Sequence, residues 1–317
     1  MVKSNSNNMS AVIVNNISKK YKVEKSQVTA LNTVSFEVLK GELFGIVGPD
    51  GSGKTSLFRV LTTLLLADSG NASIEGFDIV KDYKIIRKKL GYMPGRFSLY
   101  HDLTVEENLS FFATIFNTSI AENYDLIKDI YQQIEPFKNR RAGKLSGGMK
   151  QKLALCCALI HKPSVLILDE PTTGVDAVSR KEFWEMLQRL KAQGITILVS
   201  TPYMDEASMC DRVALMQNGQ ILAIDKPDQI NLQFSKPLWA VKAASMYNLL
   251  KTFKKWEAVE SCYSFGEYYH VVMKSDLNGS DVIKSYLLQQ QFLDIEVHQI
   301  TANIEDSFMA LMNKSHD

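Results

Sequence analysis

Gly48-Pro49-Asp50-Gly51-Ser52-Gly53-Lys54-Thr55 decides how the rest of the chain is read. It fits the spacing G-x-x-x-x-G-K-[ST]. Before it lies the apolar run Leu43-Phe44-Gly45-Ile46-Val47, a buried strand by pattern. After it, residues 56–66 carry an apolar face at helical spacing. Strand, loop and helix in that order form a phosphate cradle. Glycines let backbone N–H groups turn inward where side chains would clash. The helix N-terminus adds partial positive charge, Lys54 neutralises β- and γ-phosphates, and the Thr55 hydroxyl is a ligand for Mg²⁺. Gly48, Pro49, Asp50, Gly51, Ser52, Gly53, Lys54, Thr55 and Ser56 are therefore the candidate phosphate-binding residues.

Composition sets the bounds on this reading. The 317 residues suit one large domain and one smaller one. Hydrophobic content of 45% with 22% charge is ordinary for a soluble globular chain with a sizeable core. A formal net charge of +1 gives no electrostatic ground for nucleic acid, and none is expected as a partner. Cys156, Cys157, Cys210 and Cys262 have neither zinc-finger spacing nor disulfide-framework density. The adjacent pair reads as helix packing in a reducing compartment. No apolar segment approaches the roughly 18–20 residues needed to span a bilayer. Residues 1–10 are rich in Asn and Ser without an apolar h-region, which predicts a disordered lead-in and a cytoplasmic chain.

Outward from the loop, 11–14 reads as a strand, then a polar turn ending at Lys20-Tyr21. Residues 31–38 alternate as a half-buried strand. Tyr21 thus lies on an antiparallel β layer, where it is either an adenine-stacking aromatic or a surface or core tyrosine. Downstream come a strand (71–76), a basic helix (85–89) and a strand (90–94). Thr104 and Glu107 have the spacing of a capping box. Helical patterning to Phe116 and over 124–137 makes 102–141 an inserted helical subdomain. Leu145-Ser146-Gly147-Gly148-Met149 precedes an apolar helix (152–161). Val165-Leu166-Ile167-Leu168-Asp169-Glu170 is a buried strand ending in two carboxylates, the edge where open α/β sheets place ligand chemistry. A helix (183–192), a strand (195–200) and a hairpin around Asn218-Gly219 follow.

Residues 225–228 mark a domain boundary. Beyond it the pattern is strand (238–244), helix (248–256), strands (259–264 and 268–273), helix (281–290), strand (295–300) and helix (304–312). That order resembles a split βαβ, ferredoxin-like unit. It carries no chemical motif, and Phe265, Tyr268 and Tyr269 are expected in its core.

Taken together, these motifs make residues 11–225 resemble the nucleotide-binding domain of ABC transporters. Tyr21 matches the adenine-stacking aromatic and 48–55 the Walker A loop. Residues 145–149 match the signature loop. Asp169 and Glu170 match Walker B and the catalytic glutamate, and Gly174-Val175-Asp176 matches the D-loop. The resemblance implies an α/β fold of the ABC type: a P-loop NTPase with a mixed sheet, an antiparallel β layer and the inserted helices. A small α+β domain over 226–317 completes it. It implies ATP and Mg²⁺ as ligands, with Thr55 and Asp169 serving the metal, the latter largely through water. Glu170 would handle the attacking water and Asp176 would couple two sites. Leu145, Ser146, Gly147, Gly148 and Met149 would contact ATP held by a second nucleotide-binding domain, in a homodimer or heterodimer. Residues 99–109, 203–207 and 300–308 resemble the ATPase subunits of multidrug and ABC-2-type exporters. That group implies membrane permease partners and a place on the cytoplasmic face of the cell membrane.

Two positions depart from the family pattern. A Gln is usual after the strand 90–94, and here Gly95 stands there. A His is usual after the strand 195–200, and here it is Pro202, with no ionisable group and no N–H. Three readings stay open: a slow or silent site, a site in which Arg96, Ser200, Thr201 or water substitutes, or a motif register displaced by one residue. Rival functions are a soluble non-transport ABC ATPase and an ATP-binding regulatory subunit with little hydrolysis.

Overall fold

The computed structural model describes residues 10–23, 26–95, 99–274 and 279–314. The expected lead-in falls mostly on residues 1–9, outside the described set. Ser10 already opens β1 (Ser10–Val23), which pairs antiparallel with β2 (Ser26–Leu39). β3 (Leu43–Val47) runs through the glycine loop into α1 (Lys54–Leu61). Next come β4 (Ser69–Ile74), β5 (Phe77–Asp78), α2 (Tyr83–Lys89) and β6 (Leu90–Met93). α3 (Val105–Ile115), α4 (Tyr124–Tyr131) and two 3₁₀ turns lead to α5 (Gly147–Leu159). β7 (Val165–Asp169), α6 (Ala177–Ala192), β8 (Thr196–Thr201), β9 (Arg212–Gln217) and β10 (Gln220–Asp225) follow.

β2-β1-β4-β5 make an antiparallel sheet, and β10-β9-β3-β8-β7-β6 make a mixed one, parallel except at β10. β3, β7 and β8 are buried along their whole length, as expected for inner parallel strands that carry continuous apolar runs. Leu57, Phe58, Val60 and Leu61 of α1 share one core cluster with Ile17 and Leu31 of the antiparallel sheet and Phe44 and Ile46 of the mixed sheet. Burying a side chain of the size of Phe58 contributes about 1.5–3 kcal/mol. α1 is thereby fixed at the end of β3.

Register assembles the site. Val47 pairs with Thr201, and Ser200 with Asp169. Met93 pairs with Leu168. The C-terminal ends of β3, β8, β7 and β6 therefore lie side by side. α3 and α4 pack on α5. The Thr104–Glu107 capping box forms with both of its hydrogen bonds, at 2.7 and 3.2 Å.

Some boundaries differ from the sequence pattern. Residues 15–20 are not a turn: β1 continues through them with register shifts. α1 stops at Leu61, where Thr62 donates its hydroxyl to Phe58 O and Thr63 takes φ 62°. α4 ends at Tyr131, and only a 3₁₀ turn, Glu135–Phe137, remains of the helix expected to 137. α6 starts six residues before Phe183, because Asp176 accepts the Ser179 N–H at 3.0 Å and so caps a first turn that buries no residue.

The chain divides into two units, one through Pro227 and one from Asp228. The segment read as a boundary includes the start of α7 (Pro227–Leu232). The second unit continues with β11 (Leu238–Lys242), α8 (Met246–Lys255), β12 (Val259–Phe265), β13 (Tyr268–Met273), α9 (Ser280–Gln289), β14 (Glu296–Ile300) and α10 (Ile304–Lys314). Its antiparallel order β12-β13-β11-β14 is that of a split βαβ unit. Tyr269 joins the core under α8 and α9, with Trp239, Val241 and Val271. Phe265 and Tyr268 do not, because strand alternation sends Tyr268 and His270 to the face opposite Tyr269 and Val271.

Candidate functional site

The loop 48–53 ends in Gly53 at φ 110°, and a Cβ there would stand 2.3 Å from Ala30 O. Only glycine fits. Lys54 is 3% exposed, and its ammonium donates to Gly48 O (2.7 Å) and Pro49 O (2.9 Å). Glu170 Oε1 lies 3.2 Å from the same nitrogen. The Thr55 hydroxyl donates to Asp169 Oδ1 at 3.3 Å. Ser52 Oγ is buried with no partner among the described residues. A buried hydroxyl costs free energy until something bonds to it, and an arriving phosphate oxygen is suited to do so.

The carboxylate pair is set by β8. Ser200 Oγ donates to Asp169 Oδ1 at 2.7 Å and accepts the Glu170 N–H at 3.0 Å. The Ser200 carbonyl accepts that N–H as well, at 3.1 Å. Glu170 is thereby held at φ 50°, a left-handed conformation that costs a non-glycine residue about 1–3 kcal/mol. In this conformation the Glu170 side chain reaches Lys54. Tyr21, on β1, meets Ser56 through its hydroxyl at 3.2 Å. The fold thus brings Tyr21, Lys54, Thr55, Ser56, Asp169 and Glu170 to one edge of the mixed sheet.

The sequence of residues 31–173 matches the ABC transporter family. The chain is also 35% identical over 215 residues to the ABC transporter ATP-binding protein NatA of Bacillus subtilis, covering 67% of this chain and 87% of NatA. It belongs to the ABC transporter ATP-binding family. It is 36% identical over 310 residues to the probable multidrug ABC transporter ATP-binding protein YbhF of Escherichia coli. That alignment covers 96% of this chain and 52% of YbhF, so the chain spans about half the length of that relative. Among solved structures, it is similar to a dimeric ATP-binding cassette in a post-hydrolysis state bound to ADP and Pi. The TM-score is 0.62 and the identity 26%, over 68% of this chain and 98% of that one.

In this ABC chain the segment 145–149 leads into α5. Ser146 is the N-cap and accepts the Met149 N–H at 3.3 Å. Ser146 and Gly147 are exposed. Gly148 faces α6: a Cβ there would lie 2.7 Å from Ser179 Oγ, so glycine sets how closely the two helices approach. Asp176 is occupied locally as the cap of α6, and its carboxyl is held below the usual 3.8 by the Ser179 N–H.

Both departures from the family pattern sit where strand pairing places them. Gly95 abuts the Asp169 peptide, and a Cβ on it would come within 2.9 Å of Asp169 O. Pro202 follows β8 in a braced loop. Thr201 donates to Glu206 Oε2 at 2.5 Å and accepts the Tyr203 N–H at 3.0 Å. Thr172 donates to the same Glu206 oxygen at 3.0 Å, and Arg180 stacks over Tyr203 at 4.7 Å. Thr172 carries no signal in the sequence, and Glu206 stands there only within the 203–207 resemblance. Only the fold shows Glu206 4% exposed.

A groove of about 730 Å³ lies beside β6, walled by Tyr92, Pro94, Phe112, Ile115, Phe116 and His161. Burial, aided by the Asp169 charge, pushes the Tyr92 phenol up to about 12, so it stays protonated. His161 stacks on Phe116 at 3.7 Å, and burial lowers its pKa. Cys156 and Cys157 are buried in α5 with their thiols pushed up by desolvation, which fits packing and not reactivity. Among the described residues, no helix is long and apolar enough to cross a membrane.

Proposed function

We propose that the chain is the ATP-binding subunit of an ABC exporter, with residues 11–225 as its nucleotide-binding domain and 226–317 as an appended α+β domain. The observation that carries this is the meeting of Lys54, Thr55, Asp169 and Glu170 at the ends of β3 and β7. In this reading Tyr21 stacks on adenine and residues 48–56 bind the phosphates. Lys54 exchanges its loop carbonyls for β- and γ-phosphate oxygens. Glu170 orients or deprotonates the attacking water, and Ser200 positions both acids. Leu145, Ser146, Gly147, Gly148 and Met149 complete the ATP site of a second domain, next to the D-loop residue Asp176.

Thr55 Oγ1 and Asp169 Oδ1 are hard oxygen donors side by side, which suits Mg²⁺ with phosphates and water as its remaining ligands. When bound, Mg²⁺ neutralises charge between the β- and γ-phosphates. The groove beside β6 suits a helix of an ABC-2-type membrane permease, with the subunit lying on the cytoplasmic face. The names of the relatives support export.

A second reading rests on Gly95 and Pro202. Without the amide and the imidazole, the site holds ATP but turns it over slowly, and the subunit works chiefly by binding. The test is ATP turnover with Glu170→Gln as the reference. A rate that falls on the order of 10²–10³ in Glu170→Gln, with nucleotide still bound, supports the proposal, and a slow wild-type rate favours the second reading. Brisk turnover untouched by Glu170→Gln refutes it.

A further inference from the structure

In the second unit, α8 and α9 cover one face of the β12-β13-β11-β14 sheet, and their core includes Val241 and Val271. Leu238 and Val272 belong to the other face, where they pack with Phe234 and Ala302. The helix over that second face is α10, and part of its attachment is polar. Asp306 Oδ1 lies 2.7 Å from His270 Nδ1, and Asn313 donates to the Tyr263 hydroxyl at 2.8 Å. Asp306, Ala310 and Asn313 fall at i, i+4 and i+7, one stripe of the helix. The stripe reads polar, small, polar.

Under the small residue is a cavity of about 230 Å³, lined by the sheet residues Leu238, Tyr263, His270 and Val272 and by Phe234. The second carboxylate oxygen of Asp306 accepts the Asn303 N–H at 2.9 Å, and Asp306 is 4% exposed. The His270 ring is fixed from another side by stacking on Phe265 at 3.9 Å. The cavity wall is therefore built and held, not a gap left by loose packing. Its polar side chains already have partners within the wall: His270 Nδ1 meets Asp306, and Lys236 meets Glu260. A carboxylate entering would meet the buried Asp306 carboxylate, and a cation would have to displace His270 from it. What remains on offer is apolar surface plus neutral hydrogen-bonding groups such as Gln233, Ser261, Tyr263 and Asn313.

We propose that this cavity is a binding site for a small uncharged molecule with an apolar ring or short chain and a hydrogen-bonding end. Its occupant braces α10 against the sheet by filling the space between the two polar struts. None of the ATP-site motifs takes part.

The test uses the full chain and three probes of one size: benzamide, benzoate and benzylamine. Backbone hydrogen exchange is read in α10. Protection follows one plus the ratio of ligand concentration to Kd, so a tenfold excess over Kd slows exchange about tenfold. The expected result is that benzamide slows exchange in α10 at lower concentration than either ion. Ala310→Trp, which fills the cavity, should slow exchange without a probe and abolish the benzamide effect. Ala310→Leu does the same with less bulk should the tryptophan variant fail to fold. The proposal is overturned if no probe protects α10 up to its solubility, if benzoate or benzylamine protects as well as benzamide, or if the filled variants still respond.

Discussion

At the N-terminus of α1, the loop 48–55 is closed by its own chain. Lys54 is buried and holds two loop carbonyls and Glu170, and Thr55 reaches Asp169. At the N-terminus of α5, Ser146 and Gly147 are exposed, and among the described residues the Ser146 side chain does no more than cap its own helix. Both are helix starts that present N–H groups and partial positive charge. One is assembled around groups that phosphate would displace, and the other is exposed. The contrast is what a composite site requires, in which one chain supplies the bed for ATP and another the cover.

Lys54→Ala should produce the largest effect. It removes the buried cation and strands Glu170 and two carbonyls, so turnover falls by at least about 10²–10³ and ATP binding weakens. Equilibrium binding with a fluorescent ATP analogue reads this out, and unchanged affinity would break the first half of the contrast. Ser200→Ala should be milder. It deletes one hydrogen bond to Asp169 and one from Glu170, worth about tenfold in turnover, with little change in nucleotide affinity. An affinity loss equal to the rate loss would make Ser200 a binding residue and not a positioning one. Smallest is the response to restoring family residues. Pro202→His should raise turnover a few-fold. Gly95→Gln alone should not, because its Cβ meets Asp169 O at 2.9 Å and displaces the acid it is meant to assist. A gain from Gly95→Gln equal to that from Pro202→His would show that the 94–95 segment yields freely.

Most of the first half-site was legible because its signal is local: a spacing, an apolar strand before it, an apolar helix after it. Asp169 and Glu170 were legible for the same reason, at the end of the run Val165-Leu166-Ile167-Leu168. The bracing of those acids was not. Ser200 acts across strands on Asp169, 31 residues away, and Glu206 holds Thr172, 34 residues away, in the turn after β7. The sequence shortens β1 because Asn15, Asn16 and Lys20, on its exposed side, have the composition of a turn. In the second unit the element order was readable, but the face taken by Phe265 and Tyr268 depended on register, which composition does not reveal.

The central claim, that α5 serves ATP held elsewhere, is tested most directly by Ser146→Arg in an ATP turnover assay with binding measured in parallel. A bulky cation at the exposed cap leaves the loop 48–55 untouched. The account predicts that turnover is lost while ATP affinity stays at the wild-type value. Wild-type turnover in Ser146→Arg would contradict it.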